Sequence, residues 1–336
     1  MELSRRNFLV KSSTAAAGIS VAANSKLFAI GNSHRFQDLK ISDPKDQESF
    51  KFSVFSKTLH WMPVAEMVIR VALMGFDGID LTVRPNGHVL PERVEEDLPR
   101  AMEAAKKAGI RIFSIITSIN NADDPLTEKI LKTASSLGIG HYRMDWLYYD
   151  DAKSIEQNLI SIQSVLSKLA VLNEKYKIRG EYQNHSGKYS PQSYFGSSIW
   201  DLYSVLNKIN SFWLGSQFDI MHATVEGAYS WETDFKLLNP YIYSIAFKDY
   251  FWKKEQCKWT PEVVPIGEGM VDFSKYLDLI KQFKIKCPVS IHYEYPLGGA
   301  ERGDKIITMK SEDIFLAFEK DLATLKNKFR KANLID

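Results

Sequence analysis

Residues 178–187 read Ile178-Arg179-Gly180-Glu181-Tyr182-Gln183-Asn184-His185-Ser186-Gly187. The run as far as Gln183 has strand character, and a polar segment closed by glycine follows at once. Strand alternation puts Glu181 and Gln183 on one face. A carboxylate facing a protein interior is costly unless it is paired or holds a cation. Glu181 is therefore either one half of a buried ion pair, with Arg179 or Arg143 in reach, or a group that contacts metal or substrate.

The same unit recurs on both sides. A helical pattern over 154–176 precedes this strand and another over 199–209 follows it. From residue 51 onward short β-type runs alternate with helical stretches, the mark of a parallel α/β fold. Eight runs qualify as strands: 52–56, 78–82, 110–116, 141–145, 178–183, 213–219, 242–248 and 289–294. Further helices are expected from Pro63 to Gly75, over 92–108, from Asp124-Pro125 to Gly138, and over 273–283 and 311–329. Proline in the first turn and glycine after the last set several of these limits. Eight strands with helices between them predict a (β/α)8 TIM barrel over residues 51–336, preceded by a linker over 31–50.

In such a barrel the chemistry sits where strands end. Of seven histidines, His60, His88, His185, His222 and His292 fall at or just after expected strand ends. His141 begins a strand and reads as structural, and His34 lies in the linker. The sixth strand ends in Asp219, with His222 three residues on, a pair that can set two ligands beside one cavity. The seventh ends in Lys248, which can hold a carbonyl or hydroxyl or act as a base. On the eighth, His292 and Glu294 share a face. Lys57 and His60 after the first strand, and Arg84 and His88 after the second, can reach a polyol or an anionic group. The long segment from Tyr250 to Met270 is expected to be a functional loop whose aromatics, Trp252 among them, either stack on sugar faces or pack on the barrel rim.

Forty-three basic residues against 41 acidic ones give a net charge of +2 with no basic stripe, which argues against a nucleic-acid partner. Cys257 and Cys287 lack metal-site spacing, and nothing in the sequence brings them together. The segment Ser4-Arg5-Arg6-Asn7-Phe8-Leu9, followed by an Ala-rich stretch over 12–23, reads as a twin-arginine export signal within residues 1–30. That stretch is too short and too weakly apolar for stable membrane insertion. The expected location is the periplasm.

Gly75-Phe76-Asp77-Gly78-Ile79-Asp80, Gln183-Asn184-His185-Ser186-Gly187, Asp219-x-x-His222, Lys248-Asp249 and Ile266-Gly267-Glu268-Gly269 together resemble the xylose-isomerase-like barrels, over about residues 51–330. The resemblance implies a sugar isomerase or epimerase and one divalent metal (manganese, magnesium or zinc) held by Glu, Asp, His and Glu from strands five to eight. Asp219 matches the sixth-strand ligand. The fifth-strand glutamate is Glu181 or, in the register set by Asn184-His185, Gln183. Ala246 stands in place of the seventh-strand histidine, and the eighth-strand ligand is Glu294 or His292. A metal would then need Asp219, Glu294, either His292 or His222, and Glu181 or Gln183. The implied reaction moves a proton beside the carbonyl of a keto-sugar or polyol, with Glu181, Glu294 or Lys248 as the acting groups and Lys57, His60, Arg84, His88, Gln183, His185 and Trp252 as substrate contacts. A lyase or dehydratase on the same site, and a metal-free carbohydrate-binding barrel, are the alternatives. The expected partner is a small carbohydrate, and a homo-oligomer is compatible with the sequence.

Overall fold

The structure, a computed structural model, describes residues 50–187 and 193–336; the expected export signal and nearly all of the linker lie outside them. Eight parallel strands close a barrel: β1 (Phe52–Phe55), β2 (Gly78–Val83), β3 (Arg111–Thr117), β4 (His141–Arg143), β5 (Arg179–Gln183), β6 (Leu214–Asp219), β7 (Ile242–Phe247) and, last in the chain, β10 (Val289–Ile291). Each strand pairs with its neighbours in chain order, and β10 closes the ring between β7 and β1. The helices between them are α1 (Val64–Leu73), α2 (Val94–Lys107), α3 (Pro125–Ser136), α4 (Ile155–Tyr176), α5 (Ile199–Ile209), α6 (Ile220–Gly227), α7 (Trp231–Leu238) and α8 (Phe273–Gln282), with α9 (Ser311–Lys331) after the last strand. The expected barrel is the one found. Among the described residues no helix is long and apolar enough to cross a membrane.

Local chemistry sets the limits of these elements. Asp124 accepts a hydrogen bond from Leu126 N ahead of Pro125, and Ser154 with Gln157 forms a reciprocal capping box on α4. Gly138, with φ +78°, ends α3 in the left-handed region that costs other residues strain.

The fold has two interiors of opposite character. Outward-facing strand residues pack against the helices: Tyr293 stacks on Phe318 of α9 at 3.8 Å, and Phe218 meets Phe235 of α7 edge-on at 5.1 Å. Full burial of such a side chain stabilises by roughly 1.5–3 kcal/mol, so this annulus holds the barrel together. Inside the ring the side chains are largely polar, and they form the site.

One expectation about loops changes. Residues 250–270 are not one irregular loop. They contain an antiparallel hairpin, β8 (Asp249–Glu255) with β9 (Lys258–Val264). Its turn carries Cys257, which is exposed, while Cys287 is buried; both thiols are free. The stretch between β6 and β7, unassigned from sequence, folds as α6 and α7.

Candidate active site

The polar interior is layered. In the deeper layer Glu181 is fully buried; one oxygen meets His141 Nδ1 at 2.6 Å and the other accepts the Ser244 hydroxyl. This corrects two expectations. Glu181 pairs with neither Arg179 nor Arg143, and it lies below the barrel mouth with both oxygens taken. His141, at the start of its strand, is its partner. Asp80 occupies the same layer and accepts from Ser53 Oγ at 3.0 Å. Burial raises its carboxyl to about 7, against the hydrogen bond from Ser53.

One pleat nearer the mouth a chain of charged and polar groups crosses the barrel. Arg143 Nη1 donates to Gln183 Oε1 at 2.6 Å, and Gln183 Nε2 donates to Asp219 Oδ2 at 2.7 Å. The same Asp219 oxygen lies 3.0 Å from Lys248 Nζ, which also reaches His222 Nε2 at 2.6 Å and Glu294 Oε2 at 3.2 Å. Glu294 Oε1 is shared with Lys57 Nζ at 3.2 Å. Asp219 also caps α6, accepting from His222 N at 3.2 Å, which fixes His222 over the cavity. If His222 Nε2 accepts from the ammonium, its Nδ1 carries the hydrogen and donates to Ser186 Oγ at 3.1 Å. Burial and the Lys248 charge both push His222 well below its ordinary range, which agrees with a neutral ring.

Lys248 is the hub. Its side chain is 1% exposed and that of Asp219 0%, whereas those of Glu294 and Lys57 are 21% and 18% exposed, so the last two face the open mouth. Burial disfavours the Lys248 charge, but Asp219 and Glu294 outweigh it and hold its pKa above the usual value. Burial would raise Glu294; Lys248 and Lys57 prevail and keep it well below the carboxylate range. The next residue, Asp249, secures the hub. Its Oδ1 accepts from Tyr250 N and Val271 N, and its Oδ2 from Gly267 N and Gly269 N, all between 2.9 and 3.1 Å. Any Cβ at Gly269 would collide with this carboxylate, which accounts for glycine there, and Gly267 has a φ of +92° that favours glycine.

His292 points inward, as its alternation predicts. Its ring lies 4.8 Å from that of Phe55, and neither nitrogen has a hydrogen-bond partner among the described residues. It bonds to neither Asp219 nor Glu294, so it does not restore the donor missing at Ala246.

The remaining expected contacts divide. Arg84 lies over the Phe55 ring at 5.6 Å, within the site. The His185 ring lies 3.8 Å from that of His222, tilted against it, and borders the site. His60 and His88 do not face the cavity as free ligands. Both bond the Thr82 hydroxyl, His60 also approaches Gly303 O and His88 approaches Leu59 O, and burial lowers them to about 3 and about 4. They pin the loops after β1 and β2. Trp252 packs against Tyr250 at the hairpin base, 5.9 Å between ring centroids. Sequence reasoning passed over Arg143 and Phe55 as site residues, although their inward alternation on β4 and β1 was legible.

The donor set does not fit the divalent metal that the resemblance implies. Ala246 offers no donor, and Gln183 turns its amide hydrogens toward Asp219 while its oxygen is held by Arg143. The two carboxylates close on an ammonium, which would repel a metal ion. Among the described residues no group of three or more His, Cys, Asp or Glu side chains could hold a metal ion.

Comparison with known proteins gives a consistent picture of the fold. A D-tagatose 3-epimerase-like protein superposes with a TM-score of 0.62 at 19% identity, covering 84% of this chain and 98% of that one. The probable 3-DHS dehydratase AsbF from Bacillus anthracis gives 0.61 at 15% identity, covering 82% and 99%. The 3-keto-D-glucoside 4-epimerase YcjR from E. coli gives 0.60 at 12%, covering 83% and 100%. No curated protein matches the chain. The family model described as xylose isomerase-like TIM barrel matches residues 68–309, most of the chain, and with the closed barrel above it establishes that this protein belongs to the xylose isomerase-like TIM barrel family.

Proposed function

We propose that the protein moves a proton on the carbon beside the carbonyl of a keto-sugar or related polyol, as an isomerase or epimerase, with Lys248 as its fixed positive charge. The observation that carries this reading is the Lys248 ammonium caged by Asp219, His222 and the half-open Glu294 at the barrel mouth. An incoming carbonyl oxygen takes the place of Glu294 Oε2 on Lys248. Glu294 then loses the stronger of the two lysine contacts that depress its basicity, keeping Lys57, and it can accept the proton from the neighbouring carbon. The electron pair of the broken C–H bond passes to the carbonyl oxygen, and the resulting enediolate is stabilised by the ammonium and the Gln183–Arg143 donors. Return of the proton by Glu294 to the neighbouring carbon on the same face completes isomerisation; epimerisation takes a proton from water on the opposite face, while Glu294 gives its own back to solvent. No step needs a metal.

Expulsion of a hydroxyl from the same enediolate would make the protein a dehydratase. The unpartnered His292 ring supports that reading, since a neutral imidazole can donate to a departing oxygen. The solved dehydratase with this fold is in keeping with it. The Arg5-Arg6 segment supports action outside the cytoplasm.

The test is incubation of keto-sugars in heavy water, followed by proton NMR and mass spectrometry. Deuterium uptake at the carbon beside the carbonyl is expected, and Glu294→Gln should slow it about 10²–10⁴-fold. Loss of water identifies the dehydratase. Binding without exchange would leave a carbohydrate-binding barrel and refute the catalytic reading.

A further inference from the structure

Three cationic side chains converge on one ring in the site: Lys57 at 5.6 Å from the Phe55 centroid, Arg84 at 5.6 Å and Arg143 at 5.1 Å. Like charges this close repel, and a fold keeps them together only against a compensating anion. The protein supplies little of it. Lys57 and Lys248 share Glu294, and Lys248 also takes Asp219. Arg143 spends one nitrogen on the neutral Gln183, and its Nε is buried with no partner. The Arg84 guanidinium makes no hydrogen bond or ion pair among the described residues and feels Asp145 and Glu294 only through space. Burial and Arg84 weigh against the Arg143 charge and outweigh Asp145, Glu294 and Asp80, which favour it only through space. The His292 ring sits against the same phenyl ring, 3% exposed, with both nitrogens unpartnered. Two guanidinium groups and an imidazole thus have unused donors around the Phe55 ring, the imidazole on the strand beside the one that leads into Lys248.

We infer that the substrate is an acidic sugar, whose carboxylate or phosphate oxygens are held by Arg84 and Arg143 with Lys57 and His292 beside them, while its carbonyl end reaches Lys248 and Glu294. The inference rests on the proposed proton transfer for the placement of the carbonyl; the oxyanion pocket stands on its own geometry. Guanidinium forks match planar oxyanions in two-point contacts. A neutral imidazole adds a donor without adding charge. A neutral sugar would leave the cations uncompensated and the buried Arg143 Nε and His292 ring unsatisfied.

The experiment is calorimetric titration of the full chain, at low salt, with D-glucuronate, D-galacturonate and 2-keto-D-gluconate, with D-glucose 6-phosphate, and with D-glucose and D-fructose. At least one acid should bind ten times more tightly than its neutral counterpart. Preference for the carboxylates or for the phosphate ester identifies the oxyanion. Arg84→Gln should abolish the advantage and Arg84→Lys should restore part of it; Lys57→Gln serves if the first variant does not fold. Neutral sugars that bind as tightly as every acid, or an advantage untouched by Arg84→Gln, overturn the inference. Heavy-water exchange on the same panel separates the two readings. Acids that bind without exchanging sink the proton-transfer reading and leave the oxyanion pocket standing. Exchange confined to neutral sugars does the reverse.

Discussion

Removing Lys248 tests the central claim, that an ammonium occupies the cation position of this barrel. In Lys248→Ala the loss falls mainly on Asp219. Glu294 keeps Lys57 at 3.2 Å and is partly open to water, but Asp219 is sealed and retains only the Gln183 amide, its own helix cap and a distant His222. Leaving one buried charge without its partner costs about 3–5 kcal/mol. A domain of this size shifts by about 2 °C per kcal/mol, so the melting temperature should fall by roughly 6–10 °C. The vacated point would be ringed by Asp219 Oδ2, His222 Nε2 and Glu294 Oε2, which stood 3.0, 2.6 and 3.2 Å from the ammonium. An inward shift of about 1 Å brings such donors to divalent-metal distance. Manganese or zinc at a hundredfold excess over its dissociation constant should then return about 2.7 kcal/mol to the variant. The assay is thermal unfolding of parent and variant with and without each metal. A variant as stable as the parent, or a parent stabilised by metal as strongly as the variant, would refute the assignment.

Three further expectations follow from other parts of the chain. The Asp80 carboxyl is raised from 3.8 to about 7 in the folded state, so its contribution to stability is full below pH 3.8 and is lost as pH rises toward 7, by about 4 kcal/mol in all; Asp80→Asn should therefore gain on the parent by roughly 3 kcal/mol between pH 5 and pH 8 in urea unfolding, and an unchanged difference would show that the carboxyl does not titrate there. Thr82→Ala removes the hydroxyl that His60 and His88 share and should destabilise by about 1–3 kcal/mol, read from the same unfolding curves. A reporter fused to residues 1–35 should leave the cytoplasm by the twin-arginine route and stay inside when Arg5 and Arg6 are both lysine; export of the double variant would count against the signal.

The strand pattern and its closure were legible because period-two alternation and terminal glycines and prolines are local signals. The same alternation correctly turned His292 inward and put Asp219 and Lys248 at the mouth. It could not separate Glu181 from Gln183, since both face inward and their depth depends on the stagger between neighbouring strands. That stagger gives the deep place to Glu181, with His141 rising from the next strand to meet it, and the mouth to Gln183. The position of the Lys248 head was illegible for another reason: a four-carbon stem reaches many points, and only the assembled carboxylates select one. His60 and His88 misled because a strand-end histidine is equally useful as a loop pin. The hairpin was missed because its two strands lie outside the barrel and lack a clean buried face.

The Asp249 clamp has a consequence for how this protein can change. The carboxylate ties the root of the hairpin to the Gly267–Gly269 turn through four backbone amides, immediately beside the residue that carries the charge at the site. Anything beyond that root, including the turn at Cys257 and the exposed Trp259, is mechanically isolated from Lys248. The tip can be lengthened, shortened or exchanged for a foreign sequence while the ammonium keeps its place, which makes the hairpin a natural port for grafting new recognition onto an unaltered barrel.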